Sequence, residues 1–112
     1  MFLPNPDRAV VDAAKVRRYL LSLEHPVGRF KAAAFGTVGY HGHQWSVLQA
    51  DLLAAASLEA TPIAPSLFGQ KYETVAILRG VAGRELPVRV IWLVRHGEDF
   101  PRLVTAYPRA RP

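Results

Sequence analysis

The sequence predicts an α+β fold, with two or three N-terminal helices packed on one face of a small antiparallel sheet of three to four strands joined as a meander. Two observations carry this reading. Apolar residues in the first half recur at helical spacing, whereas those in the second half alternate with polar ones at the period of a half-buried strand. Helical and strand signals also do not interleave, which argues against a parallel sheet built from βαβ units. At 112 residues the chain is expected to form a single domain, 1–112, opening with an N-terminal segment over 1–10.

Asp12 is a good N-cap for a first helix running to about Leu23, with Val16, Tyr19, Leu20 and Leu23 forming one apolar stripe. Lys15, Arg17 and Arg18 lie on its outer face. Pro26 suits the first turn of a second helix, because it lacks the N–H that would be left without a partner there. That helix is expected to reach Phe35 or Gly36 with Phe30, Ala33 and Ala34 toward the core. A third helix is predicted over 44–58, burying Trp45, Leu48, Leu52 and Ala55. Between 59 and 70 the periodicity vanishes, and Pro62, Pro65 and Gly69 mark an irregular crossover loop. Strands are then predicted over 71–79, 86–95 and 102–107, with a hairpin turn at 80–83, a second turn at 96–99 and a flexible tail over 108–112. The strand over 86–95 is the clearest: Leu86, Val88, Val90, Trp92 and Val94 share a face, and Arg89 and Arg95 flank Ile91 and Leu93 on the other.

Composition narrows the partners. Fourteen cations against nine acids give a net charge of +5, and eleven of the cations are arginine, whose planar fork suits phosphate. An anionic partner is expected, although such a charge on a small domain also serves solubility, and Arg109 and Arg111 fall in the tail. No apolar stretch is long enough to span a bilayer, and the start of the chain lacks the basic and apolar regions of a secretory signal, so a cytoplasmic protein without membrane association is expected. There are no cysteines, which excludes disulfides and thiol catalysis.

Candidate chemistry gathers in two segments. His25 stands where a helix begins, with Arg29 and Lys31 within two turns, so a phosphate there would meet cations and free backbone N–H groups together. The same position suits His25 as a helix cap. Thr105 and Tyr107 alternate with Leu103, placing all three on one side of the last strand if it is regular. Either they are semi-buried strand formers, or their hydroxyls serve a site at the open end of the sheet. Arg102 then points to the opposite face and joins Thr105 only if a bulge intervenes. His41 and His43 form a weak metal signal with no acidic cluster nearby, so neither metal nor cofactor is expected. Phe30, Phe35, Trp45 and Trp92 fall at core spacing and are read as packing.

Nearly the whole chain resembles a small bacterial family of about this length. The likeness rests on Leu3–Asn5, Lys15, Tyr19–Leu21, His25–Pro26, Gly28, Lys31, Phe35, Gly69, Tyr72, the Trp92 strand and Pro101–Pro108. The arrangement also looks like the barnase, EndoU, colicin and RelE superfamily of ribonuclease toxins, which combine N-terminal helices with an antiparallel sheet bearing the active site. In the EndoU-like branch a His and a Lys come from the helical part, and a Thr or Ser is followed two residues later by a Tyr on a late strand. His25, Lys31, Thr105 and Tyr107 match that pattern. The second histidine usual in that branch has no clear counterpart, since His41, His43 and His96 fall in predicted loops.

The resemblance implies metal-independent RNA cleavage, in which the ribose 2′-OH attacks the adjacent phosphorus and leaves a cyclic phosphate. His25 would act as base or acid, Lys31 would stabilise the developing anion with Arg29 as helper, Thr105 would hydrogen-bond a phosphate oxygen, and Tyr107 would orient the phosphate or donate a proton. Arg95 and Arg102 would add contacts to RNA, with tRNA among the expected targets. A small acidic antitoxin or immunity protein would hold such a toxin inactive. A non-catalytic RNA-binding or protein-interaction module on the same fold is the alternative.

Overall fold

A computed structural model of the chain describes residues 1–26, 28–79 and 84–108. The expected hairpin turn at 80–83 and the tail arginines, Arg109 and Arg111, lie outside the described residues. Three helices pack with a four-stranded antiparallel sheet of order β1-β2-β3-β4. The fold is α+β, as expected.

Asp12 caps the first helix, its carboxylate accepting the Ala14 N–H at 2.8 Å. The helix starts as α1 (Ala13–Lys15) and continues as a π-helical turn over Val16–Leu20. In that turn the Leu21 N–H donates to the Val16 carbonyl five residues back, at 2.9 Å. Val16 and Leu20 are fully buried, and Tyr19 is half-buried at the edge of the core. Here the expected stripe needs correcting. The helical turns stop at Leu20, so Leu23 is exposed.

Helix α2 (Gly28–Gly36) buries Gly28, Ala32 and Phe35, spaced i, i+4, i+7. Phe30 and Ala33, expected inside, are exposed, and Ala34 is half-buried. The reason lies at Gly28: a Cβ there would stand 2.0 Å from the Tyr19 carbonyl oxygen. Only glycine lets the two backbones approach so closely, and that contact fixes which face of α2 turns inward. Helix α3 (Trp45–Ala55) follows a 3₁₀ turn over Gly42–Gln44 and buries Leu48, Leu52 and Ala55, with Trp45 packed at the margin. The buried Tyr40 donates its hydroxyl to the Asp51 carboxylate of this helix.

The segment expected to be an irregular crossover instead holds a strand. β1 (Ala60–Ser66) pairs with β2 (Gly69–Leu78), with a register shift between Pro62 and Pro65. Prolines cannot donate to a ladder, but an edge strand with an irregularity tolerates them. β3 (Leu86–Arg95) has the predicted boundaries and is the central partner of both β2 and β4 (Arg102–Pro108). Its inward residues Val88, Val90 and Trp92 are fully buried against Leu20, Leu48 and Leu52 of the helices.

Trp92 donates its indole N–H to the buried Thr74 hydroxyl at 3.0 Å. Thr74→Val keeps the shape but removes the acceptor, so it is expected to cost about 1–3 kcal/mol in urea unfolding, the penalty of stranding a buried donor.

β4 contains a bulge that sets which of its side chains face outward. Trp92 pairs with Leu103 and the preceding Ile91 pairs with Thr105, so Val104 is the extra residue. Lys15 braces it, its ammonium donating to the Val104 carbonyl at 2.7 Å and to the Leu103 carbonyl at 3.4 Å. Paired residues share a face, so Leu103 and Ala106 turn into the core while Thr105, Tyr107 and Arg102 occupy the opposite face with Ile91, Arg89 and Leu93. The expectation that Leu103 and Thr105 share a side is corrected by this bulge. No helix among the described residues is long and apolar enough to cross a membrane.

Candidate active site

The site forms where α2 leans over the β4 edge. The Lys31 ammonium donates to the Tyr19 hydroxyl oxygen at 2.7 Å and to the Thr105 hydroxyl at 2.9 Å. It also lies 4.6 Å from the Tyr19 ring centroid and 5.6 Å from that of Tyr107. The Arg89 guanidinium stands on the Tyr107 ring at 5.2 Å and is held by Glu73 at 2.6 Å. Among the described residues, no carboxylate lies within ion-pair distance of Lys31 or Lys15. Lys31 is therefore a cation held by neutral hydroxyls, with its charge uncompensated locally.

His25 joins this group through Tyr19, whose ring meets the imidazole edge-on with centroids 4.8 Å apart. It also opens α2, since its Nδ1 accepts the Gly28 N–H at 3.0 Å and its carbonyl accepts the Arg29 N–H at 3.0 Å. An accepting Nδ1 puts the proton of the neutral ring on Nε2. Thus His25, Lys31, Thr105 and Tyr107 converge around Tyr19.

The expected phosphate-binding arginines divide. Arg102 grips Glu98 through two bonds, at 2.9 and 2.8 Å, and stacks on Phe100 at 5.0 Å. This pairing, with a smaller contribution from Arg95, holds the Glu98 carboxyl below its ordinary range. Arg102 and Arg95 therefore share the face of Thr105 but sit toward its far end, around an acid. Arg29 lies over the exposed Phe30 ring at 4.9 Å. His41 and His43 stack 6.3 Å apart in the turn before α3, and His96 lies in the β3–β4 turn. Among the described residues, no three His, Cys, Asp or Glu gather as a metal-ligand group.

Two members escaped sequence reasoning. Tyr19 lies on an otherwise aliphatic stripe, where it reads as core; its hydroxyl is the available signal. Arg89 alternates with Ile91, but its partnership with Tyr107 depends on the β4 register, which the bulge sets.

The hydrogen bond and charge of Lys31 hold the Tyr19 phenol below its ordinary range, with further help from Thr105 and Lys15 and against the effect of burial. The difference between near-ultraviolet titrations of the wild type and Tyr19→Phe is expected to be a phenolate rise centred below pH ~10, and Lys31→Met should move that centre upward. A folded phenol that ionises more readily than the unfolded one adds most stability above the unfolded value. That increment disappears as pH falls through the folded value.

The fold has a counterpart among solved structures. A chain of a contact-dependent growth inhibition toxin–immunity protein complex from Klebsiella pneumoniae 342 superposes with a TM-score of 0.67 at 20% identity, over 89% of this chain and 99% of that one. At that identity the likeness speaks for the fold. No curated protein is similar enough in sequence to match. Over residues 2–110 the sequence matches one family throughout, and the chain belongs to that family, described as Domain of unknown function (DUF6883).

Proposed function

We propose that this domain is a metal-independent endoribonuclease that works as a toxin in the cytoplasm. The observation that carries the reading is Lys31: an ammonium held between the Tyr19 and Thr105 hydroxyls, with no carboxylate against it among the described residues, is suited to receive an anion. In the proposed reaction the ribose 2′-OH attacks the adjacent phosphorus. Charge builds on the non-bridging oxygens, and Lys31 would stabilise them. Thr105 hydrogen-bonds a phosphate oxygen, while Tyr107, held between Lys31 and Arg89, forms the wall beside it. His25, with its neutral-form proton on Nε2, is suited to donate to the phosphate and less suited to take up a proton there. Arg29 and Arg95 would add contacts to the RNA, and Arg102 would do so only on releasing Glu98. DNA lacks the attacking hydroxyl and would be bound without being cut.

Similarity to a chain from a toxin–immunity complex supports a toxic role and a cognate inhibitor. The net charge of +5 favours the toxin side of such a pair and an acidic immunity protein or antitoxin as its partner. One observation favours a second reading, a non-catalytic RNA-binding module: the capping bond to Gly28 gives His25 a sufficient structural reason to be there.

The test is incubation of the purified protein with tRNA and with total RNA in excess EDTA, followed by analysis of product ends. Cleavage that survives EDTA and leaves cyclic phosphates is the expected result. RNA that is bound but stays intact, in folded protein free of any inhibitor, would move the assignment to the binding module.

A further inference from the structure

Resting on the ribonuclease reading, we propose that Tyr19 is the general acid of this site, delivering its phenol proton to the 5′-oxygen of the departing nucleotide while Lys31 holds the phenolate left behind. In this step the O2′–P bond forms and the P–O5′ bond breaks. The 2′-hydroxyl proton passes to solvent water, the 5′-oxygen takes the phenol proton, and the phenolate is reprotonated from solvent. No net proton is gained or lost.

The geometry points to Tyr19 by comparison with its neighbours. His25 loses or gains a proton at Nε2 only through a form that carries a proton on Nδ1, and that form breaks the bond accepted from the Gly28 N–H. Lys31, acting as the acid, would surrender the charge the phosphorane needs. Lys31 meets Tyr107 only through its ring, 5.6 Å from the centroid, and does not hydrogen-bond its hydroxyl. Among the described residues, Tyr19 alone has an ionisable oxygen directly against the Lys31 ammonium. The local backbone fits this role as well, because the tyrosine sits in a π-helical turn, a rare deviation that recurs at functional sites, and is clamped from behind by Gly28.

The groups facing the phenol are Lys31 from α2, Thr105 from β4, Lys15 from α1 and the His25 ring. Tyr107 and Arg89 lie beyond Lys31, and Glu73 offsets the Arg89 charge. The ordinarily charged groups against Tyr19 are therefore cations, which favour loss of its proton. Its lowered pKa agrees with this arrangement.

The experiment compares two substrates in EDTA: uridylyl-3′,5′-adenosine, whose alkoxide leaving group requires a proton, and uridine 3′-(4-nitrophenyl phosphate), whose leaving group does not. For Tyr19→Phe the ratio of kcat on the second to kcat on the first is expected to rise about 10²-fold over wild type, the scale of a lost general acid. In the wild type, kcat on the dinucleotide should fall as pH rises through the Tyr19 value, whereas kcat on the nitrophenyl ester should show no such fall. Lys31→Met should move the alkaline limb upward. Equal losses on both substrates, or an alkaline limb that persists in Tyr19→Phe, would overturn the assignment and leave Tyr19 a positioning residue. Wild-type protein inert on both substrates and on tRNA would overturn the ribonuclease reading itself, and this inference with it.

Discussion

Lys31→Met is expected to lower RNA cleavage about 10²–10³-fold, the usual cost of removing one preorganised donor from a developing oxyanion. Methionine keeps most of the length and apolar bulk of the side chain, so the change isolates the ammonium. The two hydroxyls it leaves belong to half-buried residues, Tyr19 and Thr105, which can turn to water. Folding stability should therefore change little while kcat collapses. Both quantities are measurable on one preparation, by urea unfolding and by single-turnover cleavage in EDTA. Loss of activity in step with loss of fold would instead make Lys31 a structural cation.

Gly28→Ala is expected to have the opposite signature, a loss of both. The new methyl would stand 2.0 Å from the Tyr19 carbonyl oxygen and 2.9 Å from its carbonyl carbon. Both contacts are backbone atoms of the π-helical turn, so relief requires α2 to move away or the turn to rewind. Overpacking of this kind costs about 1–3 kcal/mol, and more where the obstacle is rigid. The displacement also carries Tyr19 away from Lys31, so cleavage should drop beyond what the unfolded fraction explains. Gly36→Ala, whose added Cβ would meet only His41 ring atoms at 3.5 and 3.6 Å, is the control. Urea unfolding of the two variants should separate them clearly.

The fold class was readable because the two periodicities occupy separate halves of the chain, and β3 with its Leu86 to Val94 alternation left little doubt. What stayed hidden followed from local departures that composition does not mark. Leu23 continues an ideal helical stripe on paper, yet the chain leaves the helix at Leu20 after its π turn. Pro62 and Pro65 are strong loop signals, and they misled because an edge strand needs only one side of its ladder. Phe30 has core chemistry but lost the inward position to the glycine contact. At the site, His25, Lys31, Thr105 and Tyr107 were named from their chemical type and resemblance, whereas Tyr19 was masked by its membership of an apolar stripe. Periodicity reports which side a residue faces, not whether its polar tip reaches beyond the core.

The β4 bulge makes this last strand a composite of two phases. Before Val104 the odd position, Leu103, faces the core; after it the even position, Ala106, does. One inserted residue thus moves Thr105 and Tyr107 from the core side, where they would have served as packing, to the face that Lys31 covers, where both are half-buried. The Lys15 ammonium, bound to the carbonyls at that insertion, keeps the two phases from annealing into one. Weakening that clasp would let the terminal segment slip by a residue, turning hydroxyls inward and Ala106 outward. Whether this surface carries a site at all is then a matter of parity, held by a lysine that need never touch a substrate.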